Sequence, residues 1–120
     1  MPRILKLTAA ALVAMAMLAG CSSQSLDMAT VKAVIDVRTP AEFAAGHLQG
    51  AVNIDFEGAA FATEIEALDK SANYVVYCHS GRRAGLAVDY MTKDGFTGTV
   101  TNAGGIDDAS AATKLSIVTN

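Results

Sequence analysis

Six consecutive residues, Cys78-His79-Ser80-Gly81-Arg82-Arg83, bring a thiol, a glycine and two guanidinium groups into one short segment. They follow Tyr74-Val75-Val76-Tyr77, a β-branched and aromatic run too short for a helix and apolar enough for a strand covered on both faces. A thiol placed where such a strand turns into a helix meets free backbone N–H groups and the positive end of the helix dipole. Thiolate is then the favoured form: free cysteine ionises near ~8.5, and helix N-termini with cationic neighbours lower that by about one to several units. Arg82 and Arg83 supply the cations, and Gly81 permits the positive φ that lets successive amides converge on an anion. The chemistry this points to is a nucleophilic sulfur in an anion-holding loop. His79, beside the thiol, reads either as a solvent-facing loop residue or as a group that tunes the thiolate.

Positioning such a loop requires a rigid frame, and the rest of the chain reads as one. Val31 to Val37, with its apolar cluster Val34-Ile35-Asp36-Val37, is a buried strand closed by Arg38-Thr39-Pro40. Thr39 then caps a short helix with Pro40 at its first position and Glu42 in its first turn, and Gly46 ends it near Ala45. A second strand covers Ala51 to Ile54. Apolar residues at 61, 65 and 68 give Phe61 to Leu68 a helical stripe, with Glu64 and Glu66 on the other face. The helix after the loop is expected from Arg83 to Lys93, with Leu86, Tyr90 and Met91 inward, Asp89 and Lys93 as an i, i+4 pair, and Gly95 as its stop. Thr99 to Thr101 forms a last strand, and Ala109 to Asn120 reads as a short helix or a loosely held tail.

Strand and helix alternating at this spacing predict an α/β fold, a small parallel sheet with helices on both faces. Ligands of such sheets sit beyond the carboxyl ends of the strands, where Cys78 falls and where the Asp36–Arg38 corner also falls. Asp36 and Arg38 are candidate supports for the site's rim, pairing with loop groups or with Glu42. The 12 acidic residues against 9 basic ones argue against nucleic acid as a partner, because phosphate tracking needs a clustered basic surface. No Cys/His pair shows metal-ligand spacing, so no metal site is expected.

The loop Cys78-His79-Ser80-Gly81-Arg82-Arg83 resembles the C-x-x-G-x-R active loop of the rhodanese sulfurtransferase family. The similarity extends upstream, through Val34-Ile35-Asp36-Val37-Arg38 to Glu42-Phe43 and on through Gly46-His47-Leu48-Gln49-Gly50-Ala51-Val52-Asn53-Ile54. Downstream, Val100-Thr101-Asn102-Ala103-Gly104-Gly105-Ile106 is similar to the family's terminal strand and Gly-Gly turn. The short form with Asn-Ala-Gly-Gly near its end looks most like the phage-shock-type periplasmic thiosulfate sulfurtransferases. The resemblance implies a rhodanese-like fold and Cys78 as the nucleophile that takes the outer sulfur of thiosulfate and becomes a persulfide. A thiol or protein acceptor, or cyanide in an assay, would then remove that sulfur. His79, Ser80, Gly81, Arg82 and Arg83 would bind the substrate, and no cofactor is required. A module that carries sulfur or docks a redox partner without turnover is the alternative. Phosphatases and arsenate reductases related to this fold use a longer C-x5-R loop, whereas four residues separate Cys78 from Arg83 here.

Residues 1–20 carry Arg3 and Lys6 ahead of an uncharged apolar run from Leu7 to Gly20, shorter than the ~18–20 residues a membrane-spanning helix needs. Leu18-Ala19-Gly20-Cys21 resembles the bacterial lipoprotein box, which makes Cys21 the expected lipidation site. Cleavage there would leave seven basic and twelve acidic residues, a formal charge of −5, so attachment to a membrane would come from acyl chains alone. Residues 21–30 read as a tether and 31–120 as the folded domain. Ser22 after the lipidated cysteine resembles the sorting pattern for an outer membrane, which implies an exported envelope protein facing the periplasm where the host has two membranes.

Overall fold

The structure, a computed structural model, describes residues 25–119, so Cys21 and the leader lie outside the described residues. A short 3-10 turn, Met28–Thr30, opens into strand β1 (Val31–Asp36), followed by helix α1 (Pro40–Ala45) and strands β2 (His47–Leu48) and β3 (Val52–Asn53). Helix α2 (Phe61–Glu66), strand β4 (Asn73–Cys78), helix α3 (Arg82–Lys93) and strand β5 (Val100–Gly105) come next. Helix α4 (Ile106–Thr113) and strand β6 (Ile117–Val118) close the chain.

Four strands make a parallel sheet in the order β3-β1-β4-β5, and β2 pairs antiparallel with β6 in a small second sheet. In the main sheet Ile35 lies opposite Val76 and Asp36 opposite Tyr77. Strand β4 is central because its run from Tyr74 to Cys78 is buried throughout, which suits a strand covered on both faces. Alternation along the strands divides the core in two. Ile35, Val37, Val76 and Tyr74 face α2 and α3 with Ile65, Ala84, Ala87 and Met91, while Val34, Val75 and Tyr77 face α4 with Leu48 and Ala109. Helices on both faces of a small parallel sheet are what the alternation of elements implied.

Four local expectations are revised. Helix α3 starts at Arg82, and its inward stripe is Ala84, Ala87 and Met91; Leu86 is 42 % exposed. The small alanines turned toward the sheet let the helix lie close to β4 and β5, and that phase carries the larger Leu86 outward. Asp89 and Lys93 form no ion pair among the described residues. Strand β5 runs on through Gly104 and Gly105, residues whose weak strand preference hid it. The C-terminal stretch is held: α4 begins directly after Gly105, and His47↔Val118 and Leu48↔Ile117 tie β6 back to β2.

Candidate active site

Cys78 is the last residue of β4 and is 1 % exposed. Two backbone amides donate to its Sγ, Gly81 at 2.9 Å and Ala84 at 3.4 Å. Both come from the turn into α3, so the sulfur sits at the positive end of a helix of 12 residues. Gly81 makes this possible. Its φ of 101° lies in the left-handed region, and a Cβ there would stand 3.3 Å from the Cα of Gly104.

The loop is clamped from β5. Asn102 donates from Nδ2 to the Gly81 carbonyl at 3.3 Å and accepts from the Gly104 amide at 2.8 Å. Gly105 lies so close to the His79 carbonyl that any Cβ would overlap it. The Gly-Gly turn is thus the surface against which residues 79–81 rest, a role that shows in the sequence only as two consecutive glycines.

The flanking side chains divide by exposure. His79, Ser80 and Arg82 are exposed at the loop's surface. Arg83 is partly buried and turns toward α1, where Nη1 donates to Glu42 Oε1 at 2.9 Å and Nη2 to Oε2 at 3.1 Å. Glu42 is itself oriented by the Thr39 cap: Oε1 accepts from the Thr39 amide at 3.1 Å, and the Glu42 amide donates back to Thr39 Oγ1 at 3.2 Å. Hydrogen bonding from Arg83 pulls the Glu42 carboxyl down to about 2. Glu42 in turn holds Arg83 above its usual value, with a smaller contribution from the Cys78 charge. Arg83 is therefore spoken for, and Arg82 is the loop cation left facing solvent.

Asp36 and Arg38 pair with each other rather than with Glu42 or the loop. Arg38 Nε reaches Asp36 Oδ1 at 3.0 Å, Nη2 reaches Oδ2 at 2.7 Å, and both residues are buried. The same Nη2 donates to the Gly46 carbonyl at 2.6 Å, and the guanidinium lies 5.7 Å from the centroid of the Tyr77 ring. Asn53 donates to the carbonyls of both Asp36 and Arg38 at 3.0 Å. Burial, chiefly, pushes the Tyr77 hydroxyl well above its ordinary value, and its oxygen accepts from the Leu48 amide at 2.9 Å. These groups lock the end of β1 to the C-terminal end of α1 and to β3. Their link to Cys78 is indirect, through the placement of α1 and hence of Glu42. His47 stacks on Phe43 at 3.7 Å, and its Nδ1–H donates to the Phe43 carbonyl at 2.8 Å, also within the frame.

Glu42, Asn102 and Gly105 are the site-forming residues that reading the sequence did not assign. Thr39-x-x-Glu42 was legible as a cap, but not that its carboxylate would reach a residue on another helix.

Residues 20–112 match the sequence profile described as "Rhodanese-like domain". The thiosulfate sulfurtransferase PspE of Escherichia coli (strain K12) is 38% identical over 74 residues, which cover 62% of this chain and 70% of that protein. The thiosulfate sulfurtransferase GlpE of Pseudomonas aeruginosa (strain LESB58) is 35% identical over 74 residues, 62% of this chain and 66% of that one. Among solved structures, "rhodanese with anions from E. coli" superposes with a TM-score of 0.59 at 34% identity, covering 73% of this chain and 98% of that one. A parallel sheet covered on both faces, a cysteine in a glycine-containing loop at its carboxyl edge, and a profile match over most of the chain agree: the chain belongs to the rhodanese-like domain family.

Proposed function

We propose that this chain is a thiosulfate sulfurtransferase that carries sulfane sulfur on Cys78. The single observation that supports it best is the convergence of the Gly81 and Ala84 amides on Sγ at a helix N-terminus. In the first step the Cys78 thiolate attacks the outer sulfur of thiosulfate; the S–S bond of thiosulfate breaks with its electron pair, sulfite leaves, and Cys78 becomes a persulfide. In the second step cyanide or a thiolate attacks the outer persulfide sulfur, and the Cys78 thiolate is regenerated. Negative charge stays at the loop throughout. Amides already aimed at it stabilise the thiolate, the persulfide and the transition states between them without reorganising. Arg82 draws the dianionic donor to the loop mouth, while His79, Ser80 and Gly81 frame the space above the sulfur.

Incubation with thiosulfate and cyanide is expected to yield thiocyanate, and intact-mass measurement after thiosulfate alone to show one added sulfur that reductant removes. Cys78→Ser should give neither. Equal thiocyanate from the two proteins would overturn the assignment.

The sequence at Leu18-Ala19-Gly20-Cys21 supports export with lipid attachment at Cys21, placing the domain at the surface of a cell-envelope membrane. Among the described residues no helix is long and apolar enough to cross a membrane. Cys21→Ser is expected to release the chain from the membrane fraction; unchanged fractionation would remove this part of the reading.

A further inference from the structure

Strand β5 ends the main sheet, and among the described residues nothing pairs with its outer edge. Tyr74 donates to the Thr99 carbonyl, so the ladder to β4 uses residues 99, 101 and 103, and the backbone groups of Val100 and Asn102 point outward. Edges of this kind are normally blunted by proline, by charged side chains or by a covering element. Val100-Thr101-Asn102-Ala103-Gly104-Gly105 contains neither proline nor charge.

A groove of about 370 Å³ runs beside this edge, between Thr101 and Ala103 of β5 and Asp108, Ala111 and Ala112 of α4. Leu26 forms its far wall, held there by the hydrogen bond that its backbone N–H donates to the Ala112 carbonyl at 3.0 Å. A smaller cavity of about 190 Å³ continues past Leu26 toward Asp27 and Thr99. The charged residues lining the two are Asp108 and Asp27, both exposed; no lysine or arginine lines either. The edge also leads to the chemistry. Asn102 is bonded to Gly81, Gly104 touches it, and Gly105 lies against His79.

We infer that the β5 edge docks an extended, basic segment of a protein sulfur acceptor and delivers its cysteine to Cys78. Open backbone groups select an extended chain, the shallow alanine-lined groove takes small apolar side chains, and the two carboxylates select for lysine or arginine near the ends. A parallel strand, matching the three existing junctions of the sheet, places its C-terminal residue beside Gly105. The acceptor thiolate then attacks the outer sulfur of the Cys78 persulfide. One S–S bond forms on the acceptor and one breaks at Cys78, which leaves as thiolate, so no external oxidant or reductant is consumed. The transfer rests on the persulfide chemistry proposed for Cys78; the docking does not.

The probe is a labelled hexapeptide of alternating Val and Thr with Lys near each end and a C-terminal Cys. Its binding to the sulfur-free full chain is read by fluorescence anisotropy and its sulfur uptake from the thiosulfate-loaded chain by mass. Asp108→Lys and, separately, Ala111→Tyr, which fills the groove, are expected to weaken binding about tenfold and slow peptide uptake to match, with thiocyanate formation from cyanide unchanged. A peptide with Glu in place of Lys should bind about tenfold more weakly, the difference shrinking as salt is added. Equal binding of the two peptides, or binding indifferent to both variants, would overturn the proposal. So would a dimer that the peptide does not dissociate, or no binding to the full chain, which would assign the edge to a second copy or to the chain's own leading residues. Failure to load sulfur from thiosulfate would remove the catalytic reading while the anisotropy still decides the docking.

Discussion

Glu42 and Arg83, 41 positions apart, meet through two parallel hydrogen bonds of 2.9 and 3.1 Å that join the first turn of α1 to the first turn of α3. The pair spans the two corners where strands β1 and β4 leave the sheet, and α3 is the helix whose amide holds the sulfur. Arg83 is thereby tied to α1 where α3 begins, both of its terminal nitrogens engaged by the Glu42 carboxylate. The two loop arginines therefore differ: Arg83 is paired with Glu42 and Arg82 is exposed.

Replacing Glu42 with Gln should slow sulfur transfer more than it destabilises the fold. Ion pairs with this degree of exposure contribute about 0.2–1 kcal/mol, a shift of only a few degrees in melting, whereas thiocyanate production should fall several-fold as the loop loosens. Thermal melts alongside the steady-state assay separate the two; a melting change with full activity would remove Glu42 from the site.

The pH dependence carries the same signature. The folded carboxyl of Glu42 titrates at about 2, below its unfolded value near ~4.3, so its contribution to stability is complete above the unfolded value and is lost as pH falls through about 2. Urea unfolding between those two pH values should show a shallower acid loss for Glu42→Gln than for the wild type. Identical slopes would mean that the ion pair contributes nothing in solution.

Arg82→Ala is expected to raise the KM for thiosulfate and leave kcat nearly unchanged, because an exposed cation attracts the dianion without touching the bond being broken. The salt dependence of kcat/KM should flatten with it. A kcat effect larger than the KM effect would instead place the guanidinium in the transition state.

Two glycines provide an internal control. A methyl added at Gly50 (φ 84°) meets nothing within 4 Å, whereas Gly105→Ala drives a methyl into the His79 carbonyl. Gly50→Ala should cost about 1 kcal/mol of backbone strain with transfer intact. Gly105→Ala should abolish most transfer and destabilise further, read by melting and thiocyanate assay.

Breaking the buried Asp36–Arg38 pair is a test of frame rather than chemistry. Arg38→Leu leaves an uncompensated buried carboxylate and should cost about 3–5 kcal/mol. Since neither residue bonds to the loop, protein that remains folded at low temperature should keep the wild-type KM.

The order of the main-sheet strands and of the three helices between them, the cysteine at the end of a buried strand, the glycine that turns the loop and the threonine–proline start of α1 were all legible in the chain, because each is imposed by neighbours within a few residues; the small β2–β6 sheet was not. Periodicity, capping and φ preference act over that range. The partners of Arg83 and Arg38, the outward turn of Leu86 and the extension of β5 through Gly104 and Gly105 were not. Each depends on groups that meet only after the sheet has formed: Glu42 across 41 residues, the alanine face of α3 against β4 and β5, and the His79 carbonyl against a glycine with no side chain to obstruct it. Local sequence determined that there would be a sulfur at a helix mouth. Tertiary packing decided which arginine stays exposed and which pairs with Glu42, because charge pairing follows distance in space and not spacing along the chain.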